Sequence, residues 1–192
     1  YNATNIIFTE NGALRNLSGE MHLTARGTSM MESPGQGDYD DDYFTAVNGK
    51  ITFMASPLNT SGVPRIQGTD VWINTGQMLG SDTALIRADR LNVIAGAGLD
   101  LLTNVTSLSS RIHGKGDLKV KALGSVELEA VHVLNGDVHV ESNGTITAHQ
   151  VKIYTDRYAN KLDLRAGGAI SFDNVQVGQQ QRIALARALA PW

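Results

Sequence analysis

Residues 116–135 read GDLKVKALGSVELEAVHVLN, and residues 136–155 read GDVHVESNGTITAHQVKIYT. Laid one over the other, both units have glycine at the first and ninth places and apolar residues at the third, fifth, eleventh, thirteenth, sixteenth and eighteenth. In the first unit these are Leu118, Val120, Val126, Leu128, Val131 and Val133; in the second, Val138, Val140, Ile146, Ala148, Val151 and Ile153. A third unit follows a four-residue insertion around 157–160. It sets Gly168 at the ninth place and Leu162, Leu164, Ile170, Phe172, Val175 and Val177 at the apolar ones. Ala148 alone among these places is not Val, Ile, Leu or Phe, an agreement that composition does not produce.

Each unit holds three short runs of period-two alternation, separated by turns. Period two turns one set of side chains inward and the other outward along a strand. Three such strands cannot close a core by themselves. Stacked at the interstrand spacing of ~4.8 Å, they form a prism with a continuous apolar interior. The expected fold is therefore all-β, a right-handed parallel β-helix: a solenoid of about 20 residues per coil, its hand set by the usual crossover preference. Glycine at the first and ninth places fits corners where a side chain would obstruct the bend or positive φ is required.

Upstream the pattern loosens. Leu91, Val93, Leu99 and Leu101 make two runs joined by AGAG at 95–98. Ile51 and Phe53 follow Gly49, while Ile6 and Phe8 precede Gly12, and IIFTENGAL parallels YFTAVNGKI. The solenoid is expected over 1–178, with polar loop excursions near 27–42 and 56–68 on one side. A separate small β-domain before residue 84 is the alternative. From 179 to 190 the chain reads QQQRIALARALA, without glycine and rich in helix formers. Ile183, Leu185, Ala186, Leu189 and Ala190 make an apolar stripe at helical spacing, with Arg182 and Arg187 outside it and Pro191 as a stop. The expectation is a short amphipathic C-terminal helix over 179–192, folded back as a cap on the last coil.

Composition narrows the functional classes. Sixteen basic against nineteen acidic side chains give a net charge of −3, which leaves no electrostatic footprint for nucleic acid. No apolar run approaches the ~18–20 residues of a membrane-spanning helix, so no membrane insertion is expected. With no cysteine, disulfide frameworks, thiolate zinc sites and cysteine nucleophiles are excluded. The chain opens on Tyr1 without a signal-peptide pattern and reads as a processed chain or a piece of a longer one.

The glycine-punctuated coils of 84–178, and more loosely those of 1–83, resemble the filamentous-haemagglutinin-like exoproteins of bacteria. That resemblance implies surface attachment or a structural shaft, secreted across an outer membrane by a dedicated partner. A second resemblance lies in the tail, where residues 178–189 look like the end of the signature motif of ABC-transporter ATPases. The places of that motif's Leu-Ser-Gly-Gly-Gln hold Val175, Gln176, Val177, Gly178 and Gln179, so the serine and first glycine are missing. The phosphate cradle GxxxxGK[ST] is missing too, because Gly49-Lys50 is followed by Ile51 and the earlier glycine place is Phe44. An ABC-type ATPase fragment is thus a remote alternative.

Two sets of candidate ligands stand out. Asp38, Asp40, Asp41 and Asp42 could gather oxygens for calcium, although the run lacks EF-hand spacing and a solvated acidic loop has the same letters. Stacking would also align Glu129, His149 and Asp173 at the fourteenth place, and Lys119, His139 and Asp163 at the fourth. A carboxylate–histidine–carboxylate column could bind a metal, and a mixed-charge ladder has the same composition without one. Asn-x-Ser/Thr acceptors stand at Asn2, Asn16, Asn59, Asn104 and Asn143. No catalytic set and, calcium apart, no cofactor is expected. The functional expectation is a non-enzymatic, extracellular or cell-surface structural or adhesive segment. Its expected partners are host or neighbouring cell-surface glycans or proteins, with end-to-end self-association possible. The alternatives are a glycan-processing β-helix enzyme and a subunit of an extracellular filament.

Overall fold

In a computed structural model the repeat places stack directly on one another. Leu118 pairs with Val138 and Val138 with Leu162; Val126 pairs with Ile146 and Ile146 with Ile170; Val133, Ile153 and Val177 follow one another likewise. The structure describes residues 1–27, 30–32, 45–79, 84–154, 160–177 and 182–187. They form a β-solenoid of about seven turns, roughly 20 residues apart. The register resumes unchanged after the four-residue insertion, because slipping by one residue would turn every apolar side chain of the coil outward. All twelve apolar places of the first two units are buried.

Strand Leu99–Lys115 shows how the prism turns a corner. Its first residues pair with Leu118–Ala122, and its later ones with Val126–Asn135. From there two parallel ladders run side by side. One continues through Val138–Ser142 and Lys161–Ala166, the other through Ile146–Ile153 and Ile170–Val177. The second and third runs of alternation are not separated by a turn, as the sequence predicts, but share one strand. Leu108 pairs with Leu128 and Ser109 with Ala130, so Glu129 bulges out of register and the alternation restarts at Val131.

Upstream, Asn2–Ala3, Leu14–Ala25, Ile66–Thr75 and Leu85–Ala95 lead in order to Leu99–Lys115 in the same sheet. Ile6–Phe8, Lys50–Phe53 and Gln77–Leu79 make a parallel sheet of their own. Ile6 and Phe8 pair with Ile51 and Phe53. The letter match of IIFTENGAL to YFTAVNGKI does not carry over, because Thr45–Val47 pairs antiparallel with Met30–Glu32. That two-stranded ribbon forms the base of the first excursion. The second excursion carries a helical turn, Pro57–Thr60, whose N-terminus is capped when Ser56 Oγ accepts from the Leu58 N–H at 3.1 Å. It ends earlier than 68, because Ile66 already opens a strand and both Arg65 and Ile66 are fully buried. The two excursions leave at different corners, one after Leu14–Ala25 and the other after Lys50–Phe53.

The corners explain the glycines. A Cβ on Gly136 would run into the carbonyl oxygen of Gly116 one coil below, and one on Gly144 into Ser125. Close approach therefore selects glycine at 136 and 144, whereas a Cβ at Gly124 would meet no atom closer than 3.8 Å. Polar side chains pin the same corners. Asp117 Oδ1 accepts the Asp137 N–H at 2.9 Å, and Asp137 Oδ1 accepts the Lys161 N–H at 2.7 Å. Inward-facing Ser142 Oγ donates to the Gly124 carbonyl at 2.8 Å and accepts the Gly144 N–H at 3.0 Å.

The tail departs from the sequence expectation. Arg182–Arg187 is a strand, not a helix, and pairs parallel with Lys161–Ala166. Ile183 falls opposite Leu162 and Leu185 opposite Leu164, extending the columns of the repeat by one place. An open parallel edge offers this segment ladder hydrogen bonds, and those outweigh the helix propensity of its alanines and leucines. The segment does lie against the last coil, yet it covers one wall only. On the other wall Phe172 remains 48% exposed.

Candidate functional site

The calcium candidates Asp38, Asp40, Asp41 and Asp42 lie outside the described residues. The outer wall of the clear repeats brings together both predicted columns, in different surroundings. In the fourth-place column, His139 Nδ1 lies 3.0 Å from Asp163 Oδ2. Arg165 donates to the same carboxylate at 2.9 Å, and Lys119 precedes His139 in register. Two cations thus flank that pair, and a third positive charge would be repelled.

The fourteenth-place column sits in an acidic setting. His149 Nδ1 lies 2.9 Å from Asp173 Oδ2. Glu127 and Glu129 on the preceding coil join His149 in a triad, each able to present one donor atom within 4.8 Å of the others. Towards the next coil the offset of 20 residues holds from Glu127–Thr147 through Val131–Val151, which sets Glu129 level with His149; the bulge at Glu129 is against the preceding coil. The hydrogen bond to Asp173 raises the His149 pKa above its ordinary value, opposed by partial desolvation and supported by the charges of Glu129, Asp173 and Glu127. Sequence spacing had found Glu129, His149 and Asp173. It had not found Glu127, whose even-numbered offset within the same strand was the available signal.

Elsewhere the outer wall carries isolated pairs and concavities, of which one crosses several coils. Arg90 makes a bidentate pair with Asp70, its second contact at 2.8 Å, and this bond holds the Asp70 carboxyl below its ordinary range. His22 stacks on Trp72 with ring centres 5.9 Å apart. Half-buried His132 meets the Tyr154 ring edge-on. Its pKa is lowered by burial and then by Arg111 and Lys152, against the Gln150 hydrogen bond. The concavity that crosses successive coils, from Leu17 to Ser125, is a groove of about 440 Å³. Its banks carry Gln67, Arg87 and Asn104, consecutive in register, with Asp89, Thr106 and Ser125 opposite. Amides, hydroxyls and one charge of each sign can hydrogen-bond an extended polar ligand in such a groove. Asn104, a glycosylation-type acceptor by sequence, is part of this lining.

These features define the class as a parallel β-solenoid with a polar, unevenly charged outer wall. Comparison with protein-family models, with curated proteins and with solved structures finds no match. Among the described residues no helix is long and apolar enough to cross a membrane.

Proposed function

We propose that the chain is a non-enzymatic structural and adhesive segment of a bacterial exoprotein, displayed outside the cell. Its coils serve as a shaft, and its outer wall attaches to glycans or proteins of host or neighbouring cell surfaces. One observation carries this reading. Inward places are apolar and buried coil after coil, whereas the outward row changes from Asp70 through Arg90, Ser107 and Glu127 to Thr147. Such a fold keeps its core constant and leaves the wall free to carry recognition chemistry. The resemblance of the coils to filamentous-haemagglutinin-like repeats supports the same reading.

The groove is the most specific surface for attachment, since its neutral hydrogen-bonding groups suit hydroxyl-rich ligands. The test is binding of the purified chain to immobilised glycans and to intact cells. Saturable binding that weakens in Arg87→Ala and Asn104→Ala is the expected result. Shortened polysaccharide products in the same incubation would favour a glycan-processing enzyme. Absence of binding to every glycan and cell type would contradict the adhesive reading.

A further inference from the structure

We propose that Glu127, Glu129 and His149 form a binding site for a first-row divalent cation, zinc above all, with Asp173 as the residue that positions the imidazole. The inference does not depend on the adhesive reading. Its starting point is the convergence of two carboxylates and one imidazole, with donor atoms within 4.8 Å of one another. Ligand atoms around zinc sit at about 2.0–2.2 Å from the metal, so a modest inward rotation of exposed glutamate side chains completes the set. Mixed nitrogen and oxygen ligands suit zinc and its first-row neighbours, whereas calcium takes oxygen ligands, usually six to eight.

Two further observations separate this cluster from an ordinary charged surface. First, Asp173 engages Nδ1 of His149 at 2.9 Å, which fixes the tautomer and leaves the Nε2 lone pair for a metal. A carboxylate behind a ligating histidine is the common arrangement that orients the ring and raises its basicity. Second, Glu127 and Glu129 on the preceding coil and Asp173 on the following one stand around His149, so the imidazole is surrounded by carboxylates. The chain supplies its own comparison. The His139–Asp163 pair repeats the histidine–aspartate geometry at 3.0 Å, yet Lys119 stands where the other column has Glu129, and Arg165 donates to the Asp163 carboxylate at 2.9 Å. One column is neutralised by the protein's own cations, and the other gathers three carboxylates around one imidazole.

The test is zinc titration of the untagged full chain by calorimetry, with cobalt absorption spectra as a second readout of ligand geometry. One saturable zinc site per chain is expected. His149→Ala and Glu129→Gln should abolish it, Asp173→Asn should weaken it by about 10- to 100-fold, and His139→Ala should leave it unchanged. These side chains lie on the outer wall, so circular dichroism of each variant should keep the β spectrum. If one glutamate variant fails to fold, Glu127→Gln takes its place. The proposal is overturned if the parent chain shows no saturable one-to-one binding. Retained affinity in His149→Ala, or an equal loss in His139→Ala, overturns it as well.

Discussion

Arg65 shows how one residue can hold a corner that no local pattern announces. It is fully buried, and its guanidinium donates to the carbonyls of Gly12 at 2.7 Å, Thr9 at 2.6 Å and Met54 at 3.3 Å while facing the Phe53 ring. A buried charge of this kind is tolerated because its donors are used on backbone oxygens, those of Gly12 and Met54 and that of Thr9, which also accepts the Gly12 N–H at 2.9 Å. Arg65→Met should therefore destabilise the chain by about 3 kcal/mol, read as a lowered urea midpoint. A loss below about 1 kcal/mol would mean that these carbonyls find other partners. By contrast, Leu118, Val120, Val126 and Leu128 were legible in the sequence, because each obeys the period-two rule and repeats 20 residues later. Arg65 was not, since two of its partners lie 53 and 56 residues upstream and an arginine within a polar loop reads as exposed.

At the level of elements, the same local rules succeed in the middle of the solenoid and fail at its end. Strands 118–122 and 138–142 have neighbours on both sides, so their alternation and their environment agree. Segment 182–187 carries two signals at once, a helical stripe and the alternation of Ile183 with Leu185. The unpaired edge of Lys161–Ala166 selects the second. The glutamate bulge at 129 was misread for a related reason: the step from Leu128 to Val131 breaks the alternation in the letters, and a turn between two strands breaks it in the same way. If the tail is a ladder strand, Leu185→Pro removes a backbone donor in its middle and a proline cannot be accommodated there. Hydrogen exchange of the Lys161–Ala166 amides should then accelerate by about tenfold or more, a loss on the order of 1.4 kcal/mol of local protection. Unchanged exchange in that strand would contradict the pairing.

For the molecule as a whole, every functional statement depends on the stacking register, since it alone brings Glu129, His149 and Asp173 together from three coils and lines up the groove. The outward row from Glu20 through Asp70, Arg90, Ser107, Glu127 and Thr147 to Ser171 offers a ruler along the solenoid. The chain has no cysteine, so spin labels attach only where cysteines are introduced. Pulsed electron resonance on Glu20→Cys paired with Glu127→Cys, and on Glu20→Cys paired with Ser171→Cys, is the most direct measurement. Four and six steps at ~4.8 Å should give mean separations of about 19 Å and about 29 Å. Equal separations for the two pairs, or broad distributions without a maximum near these values, would contradict the solenoid register.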